Sequence, residues 1–486
     1  MQERQKQIPI YQKVSSFAQN QNTSFHVPGH KNGKISLEPV PNYFQEISKI
    51  DVTEIEGLDD LHAPQGIIKK AQKLASEWFG SLDTFFLVNG STTGNLAMIL
   101  AACRPDDQVL VQRNSHKSIM HGMELAGVKP VFLPPAYNFS KQRYTNASME
   151  TLIIAVKNYP DAKAIIVTYP DYFGDTFELE ELIEIAHSNN MLVMVDEAHG
   201  CHFSLPFINA PSAVSLGADI VVQSAHKMTP ALTMAAYLHI QSKTIDSNRI
   251  KYYLQMLQSS SPSYPILASL DLARYYLATY SREKFNTLLA YIEEVTRIFM
   301  ESDYWSVEDK KPMDDPLKIC IKVKEGIDIQ QIKKMLEREQ LYPELVTERH
   351  ILFVFGLEAV IDSAILQKKL RRIQRKLNFS SNHATIENNS MFYNDKIIPL
   401  ALSYASMNKL AMEWCNWTDA SGRIAAENII PYPPGIPIIT RGGEKIRTSA
   451  IEEIQQLMQH NINFQPINRT TGLNVYMEDG NKIKGE

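Results

Sequence analysis

Between residues 84 and 240 the chain alternates two patterns, and this alternation limits the possible folds more than any other feature. Short apolar runs rich in β-branched and aromatic residues recur: "TFFLV" (84–88), "QVLVQR" (108–113), "AIIVTYP" (164–170), "MLVMVDEA" (191–198), "DIVVQS" (219–224) and "TMAAYLHI" (233–240). Helix-period segments lie between them. "GNLAMILAAC" (94–103) follows the first run; "HKSIMHGMELAG" (116–127) follows the second and ends on Gly127, suited to a C′ position. "ELEELIEIAHSNN" (178–190) places Leu179, Leu182, Ile183 and Ala186 on one face. Strands that are apolar on both faces need cover on both, and interleaved helices supply it. An α/β domain with a mostly parallel sheet is expected.

The segment 269–301 reads as a long helical stretch leading out of that domain. Then come a strand "PLKICIKVK" (316–324), a helix "DIQQIKKMLEREQ" (328–340), a strand "HILFVFG" (350–356) and a helix "DSAILQKKLRRIQRKLN" (362–378), together a small α+β domain. Basic residues from Lys368 to Lys376 interleave with Leu370, Ile373 and Leu377 at helical spacing, the pattern of a solvated helix face rather than a nucleic-acid patch. Residues 378–393 are Asn/Ser-rich and read as a linker. In "PYPPGIPII" (431–439) four prolines forbid a regular helix or a central strand. The expected division is an N-terminal segment 1–65, a large domain 66–270, a small domain 271–380 and a C-terminal α+β domain 381–486.

Net charge of −5 leaves no electrostatic footprint for nucleic acid or an anionic membrane. Cys103, Cys201, Cys320 and Cys415 are far apart with no CxxC pair, which argues against a disulfide framework or a metal site and fits a reducing cytoplasm. The N-terminal stretch has no apolar signal-like region, and no spanning run of about 18 apolar residues occurs.

In an open parallel sheet, ligands gather at the carboxyl ends of the strands. Four runs end there in polar clusters. "VNGSTTGN" (88–95) offers flexible glycines, the hydroxyls of Ser91, Thr92 and Thr93, and the free N–H groups of the next helix: a phosphate cup or a polar capped turn. Its spacing matches neither a dinucleotide nor a Walker fingerprint. "QRNSHKS" (112–118) puts His116 at a helix mouth, able to lie on a flat ligand or simply to cap. "VDEAHG" (195–200) ends a strand in Asp196, whose desolvated carboxylate calls for a cation, with Ala198 small enough to sit under a ring. "DIVVQSAHKMTPALT" (219–233) ends a strand in Lys227, either a surface lysine or one held on a cofactor carbonyl. Together they suit pyridoxal phosphate: an acid for the ring nitrogen, a lysine for the aldehyde carbon, hydroxyls and helix amides for the phosphate, and an imidazole over the ring.

These clusters, with "FHVPGHKNG" (25–33), "GLDDLHAPQGIIKKAQ" (57–72), "SSSPSYPILASLD" (259–271) and "ASGRIAAENIIPYPPGIP" (420–437), resemble the ornithine/lysine/arginine decarboxylases, in their short bacterial form without an N-terminal wing domain. The resemblance implies the fold-type I transferase architecture of pyridoxal 5′-phosphate enzymes, with a mostly parallel seven-stranded sheet, and a homodimer or larger homo-oligomer. It implies decarboxylation of a basic L-amino acid within polyamine metabolism. Lys227 would bind the cofactor aldehyde, Asp196 the ring nitrogen, and Ala198 and His116 the two ring faces. Ser91, Thr92, Ser224 and the amide of Thr93 would hold phosphate. His226 would lie beside phosphate and lysine, with His199 in support, and Lys227 or a histidine would reprotonate Cα. Asp59, Asp60, Asp171 and Asp419 are the candidates to receive the substrate's cationic side chain.

The chain departs from the family pattern at Asp171, where a hydroxyl is usual, at Asp419, one methylene shorter than the usual Glu, and at Cys201, where a small residue is usual. Two rivals stay open: an aminotransferase or aldolase on the same fold, and a degenerate cofactor-binding homologue. Arg423, inside a C-terminal block, is the one arginine there that could serve a transaminase.

Overall fold

The computed structural model describes residues 2–20, 22–35, 43–377, 396–432, 436–443, 445–459, 463–465 and 471–477. The expected linker 378–393 and Pro433 and Pro434 of the proline run lie outside them. Among the described residues nine strands precede residue 241: β1 (Asp83–Leu87), β2 (Gln108–Gln112), β3 (Lys129–Leu133), the hairpin β4 (Tyr137–Asn138) and β5 (Arg143–Tyr144), β6 (Ala164–Thr168), β7 (Leu192–Asp196), β8 (Ile220–Gln223) and β9 (Ala236–Ile240). The chain forms two compact units: Met1–Ala102, Leu179–His187 and Leu192–Phe285 make the first; Cys103–Glu178, Ser188–Met191 and Asn286–Glu486 make the second.

The strands of the large, mostly parallel sheet fall in both units. In the first their order is β1-β9-β8-β7. β7 and β8 are parallel, while β9 runs against β8 and β1. Residues 224–235 hold only the four-residue helix Ala225–Met228 and no crossover helix, and β9 returns antiparallel. Helix Gly90–Ala102 lies close beneath this array: a Cβ on Gly94 would sit 2.7 Å from both Leu87 and Val222 side chains. Helix Pro9–Gln19 is tied to helix Tyr264–Thr279 through a buried ion pair within the latter. Arg274 donates to Asp271 at 2.8 Å and also to the carbonyl of Gln5, while Asp271 accepts the N–H of Ile10 at 2.9 Å.

The second unit carries β6-β2-β3 and an edge strand, β14 (Ile398–Pro399), which adds to the expected seven. β2 pairs parallel with β3 and β6; β14 pairs antiparallel with β3. A separate antiparallel sheet, β10 (Trp305–Val307), β11 (Lys318–Val323), β12 (Leu345–Val346) and β13 (His350–Val354), runs β10-β11-β13-β12, with helices Ile329–Arg338 and Ser363–Gln374 following its strands in the chain. The C-terminal portion pairs β15 (Met412–Asn416) with β18 (Gly472–Tyr476), and β16 (Ile430–Tyr432) with β17 (Asn463–Gln465), around a core of Trp417, Ile429, Ile454 and Leu473. Pro431 lies in the two-stranded β16-β17 ribbon, where its missing N–H costs little. The helical stretch 269–301 is two helices, Tyr264–Thr279 and Arg282–Met300, separated at Tyr280–Ser281.

Candidate active site

The first unit gathers most of the expected residues at the tips of β7, β8 and β1. Helix Gly90–Ala102 starts four residues earlier than its hydrophobic pattern suggests, so Ser91, Thr92 and Thr93 form its first turn rather than a loop before it. Gly90 adopts φ +79°, a conformation costly for any side chain, and a Cβ there would meet nothing within 4 Å. A side chain at Gly90 would therefore point into open space. Ser224, the residue after β8, donates to Ser91 Oγ at 2.7 Å and joins the two tips by their hydroxyls.

Asp196, the last residue of β7, is 2% exposed. Burial pushes its carboxyl above the usual range; the Lys227 ammonium, the Asn95 side chain and the N–H of Ala198 pull it back. Asn95 Nδ2 donates to Oδ2 at 2.9 Å, and the Ala198 N–H donates to Oδ1 at 3.2 Å. Lys227 sits in the short helix Ala225–Met228 after β8, its Nζ 3.1 Å from His199 Nε2. His226 shares Nδ1 with the carbonyl of Ala235 at 3.0 Å, which fixes Nδ1 as the protonated nitrogen, and burial keeps its pKa low. Ala198 is buried beside Asp196.

Asp59 and Asp60 also belong to this unit. Asp59 caps helix Ile67–Phe79: its carboxylate accepts N–H groups from Gln65, Gly66, Ile68 and Lys69, all within 3.3 Å, and that of Asp60. This differs from the expectation of a substrate receptor, because a carboxylate offers about four lone-pair sites and these are taken. Asp60 is exposed and accepts the N–H of His62 at 2.7 Å.

In the second unit His116 is the N-cap of helix Lys117–Ala126, its Nδ1 accepting the N–H of Ser118, and Gly127 closes that helix in the left-handed conformation. Asp171 is buried in an ionic cluster. Its Oδ2 accepts from Arg143 at 3.2 Å and its Oδ1 from the N–H groups of Phe173 (2.9 Å) and Asp175 (2.8 Å). Burial, then the charge of Asp175, pushes it up to about 6 against the pull of Arg143. Arg143 also bonds Asp175 at 2.9 Å and Glu308 at 3.3 Å, and stacks 4.0 Å from the Phe173 ring centre. A carboxylate so engaged organises its own turn, which again differs from the expected receptor role. Asp419 is exposed. Arg423 pairs with Glu413 at 2.5 Å and donates to the carbonyl of Tyr476, contacts internal to the C-terminal portion.

Three residues that stand out here carry no distinct sequence signal. Asn95 reaches Asp196 because residues 91 and 95 share a helix face. Gln258 accepts the N–H of Val88 at 2.8 Å and steadies the strand exit before the Gly90 turn. Glu197 is fully buried, next to Asp196.

Residues 8–313 match the major domain of the Orn/Lys/Arg decarboxylases and residues 389–481 match their C-terminal domain. The chain belongs to that family. It is 40% identical over 462 residues to the uncharacterized protein YaaO of Bacillus subtilis (strain 168), covering 94% of this chain and 95% of that one. It is 34% identical over 454 residues to the arginine decarboxylase of the same strain, covering 90% of this chain and 91% of that one. The fold is that of the Escherichia coli constitutive lysine decarboxylase, with a TM-score of 0.79 at 18% identity over 97% of this chain and 82% of that one. The expected fold-type I α/β architecture is therefore the architecture of this family member. Among the described residues no helix is long and apolar enough to cross a membrane.

The donor set of the first unit suits pyridoxal 5′-phosphate. A buried acid held on one side by neutral donors wants a cation on its other side, which a protonated pyridine provides. A primary amine stands at the adjacent strand tip. Hydroxyls in the first turn of a helix suit a phosphate.

Proposed function

We propose that this chain decarboxylates a basic L-amino acid to the corresponding amine and CO₂ with pyridoxal 5′-phosphate as cofactor. The observation that carries the reading is the convergence of buried Asp196, Lys227 and the Ser91–Ser224 hydroxyl pair on adjacent strand tips, in a chain of this family. Asp196 would hold the ring nitrogen in its protonated form, Lys227 would hold the aldehyde carbon, and Ser91, Thr92, Ser224 and the Thr93 amide would hold the phosphate. Ala198 would face the ring. When bound, the cofactor supplies an electron sink for the bond to the departing carboxylate.

The protein's own contribution is placement and proton management. Asn95 and the Ala198 amide orient the Asp196 carboxylate. His199 Nε2, 3.1 Å from Lys227 Nζ, holds that amine and can exchange a proton with it, so that Lys227 delivers the proton to the substrate Cα. His226 stays neutral beside it. Of the acids considered, Asp60 and Asp419 retain exposed carboxylates for a cationic side chain. Relatives named arginine decarboxylase make arginine the first substrate to try, with lysine and ornithine beside it.

Oligomerisation is proposed on surface grounds. Phe25 (92% exposed), Val27, Tyr43 (83%) and Phe44 crowd the N-terminal segment, an apolar display that a second copy of the chain would cover. A cytoplasmic setting fits four buried cysteines, none of them in a disulfide.

The deciding experiment is amine and CO₂ detection with arginine, lysine and ornithine on cofactor-loaded protein, together with light scattering for assembly. Release of amine and CO₂ from one of them is expected. Keto acid in place of CO₂ supports the aminotransferase rival, and cofactor binding without turnover supports the degenerate homologue.

A further inference from the structure

Asp196 and Glu197 are consecutive, so their side chains leave opposite faces of the sheet. The Asp196 face bears Asn95, Ser91, Ser224 and Lys227. On the reverse face a continuous line of polar side chains crosses four neighbouring strands, one from each. The Glu197 backbone N–H extends the β7–β8 ladder to Val222 at 2.9 Å. Its side chain accepts from Gln223 Nε2 at 2.6 Å, from the Ala213 N–H at 2.8 Å and from Ser212 Oγ at 3.0 Å. Gln223, the last residue of β8, accepts at Oε1 from His239 Nε2 of β9 at 3.1 Å. His239 Nδ1 in turn accepts from Thr84 of β1 at 2.8 Å, its direct cross-strand partner. Glu197, Gln223 and His239 are 0% exposed and Thr84 is 3% exposed.

We propose that Glu197, Gln223, His239 and Thr84 form a transverse brace of positioning residues that fixes the separation of the Asp196 and Lys227 strand tips. This rests on the reading of those tips as the cofactor site. The two ends that matter are joined nearly at the point of use: Glu197 adjoins Asp196, and Gln223 adjoins Ser224 and lies four residues before Lys227. Without the Glu197–Gln223 bond, the backbone ladder between β7 and β8 would still hold the strands, but the side-chain tie across their tips would be lost.

The brace has a direction when Glu197 is ionised. Every proton along it then points from Thr84 toward Glu197, and the Ala213 N–H, which cannot turn, fixes which oxygen of residue 197 faces it. In Glu197→Gln the new carboxamide must therefore keep its oxygen toward Ala213 and present its N–H₂ to Gln223. Gln223 must turn over to accept. Its own N–H₂ then faces His239, which must move its proton from Nε2 to Nδ1 and donate to Thr84. His239 is neutral throughout the working range, since burial drives its pKa to about 3, so its tautomer is a clean reporter.

The experiment uses the full-length protein. Histidine ¹⁵N/¹³C NMR of the apo form at about pH 9.5, above the value of about 8 to which burial pushes Glu197, is expected to show His239 as the Nε2–H tautomer in wild type and the Nδ1–H tautomer in Glu197→Gln. Pyridoxal phosphate titration reads the positional role. Glu197→Gln, which keeps a reversed chain of bonds, should bind within about threefold of wild type. Gln223→Met, which cuts both bonds at similar volume, should weaken binding by at least about tenfold, as expected for a misplaced reacting group. It should also shift the pH midpoint of the visible absorbance band. A side chain that merely stabilises the fold would lower the melting temperature and leave that midpoint alone. Gln223→Leu serves if Gln223→Met does not fold. An unmoved His239 tautomer in Glu197→Gln, or an unmoved affinity and pH midpoint when Gln223 is apolar, overturns the brace. Failure of wild type to bind pyridoxal phosphate would sink the site reading, and the apo NMR comparison would still decide whether the brace exists.

Discussion

Replacing Asn95 by Ala should cost cofactor affinity in proportion to the charge on Asp196. Asn95 is buried and gives one of the two hydrogen bonds the structure shows to that carboxylate, at 2.9 Å. A hydrogen bond to a charged group contributes roughly 1.5–3 kcal/mol net. If the bond is made in full with the cofactor bound, its loss weakens pyridoxal phosphate binding by roughly ten- to a hundredfold, since about 1.4 kcal/mol is a decade. The effect in the apo protein has a different pH signature. Burial raises the Asp196 pKa above its ordinary 3.8, so its ionised form is the costly one, and the Asn95 donor offsets that cost. The destabilisation of Asn95→Ala in the apo protein should therefore be smallest in acid, where Asp196 is neutral, and grow as pH rises through its folded pKa. Urea denaturation at several pH values from 5 to 8, beside an absorbance titration with pyridoxal phosphate at neutral pH, measures both. An affinity within twofold of wild type, while Asp196→Asn abolishes binding, would show that Asn95 does not orient the acid.

Three other perturbations give direct outcomes. Lys227→Ala should abolish the visible absorbance band and reduce turnover by at least about a thousandfold, because it removes the amine placed just after β8; a retained band would remove Lys227 from its role. Arg274→Met should destabilise by roughly 3–5 kcal/mol, as it leaves Asp271 buried without its cation and frees the residues around Gln5 and Ile10; a chemical denaturation midpoint unchanged from wild type would contradict this. Glu197 is pushed up to about 8 by burial, so its contribution to stability is complete below about 4.5 and is lost as pH rises through 8. The stability difference between wild type and Glu197→Gln should thus change by up to roughly 1.4 kcal/mol per pH unit across that window; parallel pH profiles would show that Glu197 does not titrate there.

The strand–helix alternation was legible because buried strands are apolar on both faces, which is why six sheet strands and the tips bearing Asp196 and Lys227 could be placed from residue types. β3 was not, because Pro130 sits inside a run only five residues long and Pro is a poor advertisement for a strand flanked on both sides. Its tolerance there follows from its place near the strand start. β14 adds to the sheet from a segment about 265 residues downstream, a pairing no local pattern encodes. Asn95 was invisible as a site residue because helix amides usually face solvent; only the helix starting at Gly90 aims it at β7. Glu197 was hidden differently. Beside Asp196 it reads as another strand-end acid, and only the paired tips show that alternate residues serve opposite faces.

The acids show the limit most sharply. Asp59 and Asp60 sit in a recognised block and Asp171 and Asp419 at departures from the family pattern, and residue type alone does not rank the four. What separates them is who already holds their lone pairs. Asp59 receives five backbone N–H groups, four of them gathered around the start of one helix, and to take up a cationic side chain it would have to release donors that close that helix. Asp171 holds two N–H groups of its own turn and one arm of Arg143, and surrendering that arm would leave a guanidinium buried with fewer counter-charges. A residue that must unfold its surroundings to bind substrate loses to one that need only shed water. By that measure a cationic side chain is received by an acid whose partners are solvent, and Asp171, the departure from the family pattern, is better explained as the mate of Arg143 than as a new substrate contact.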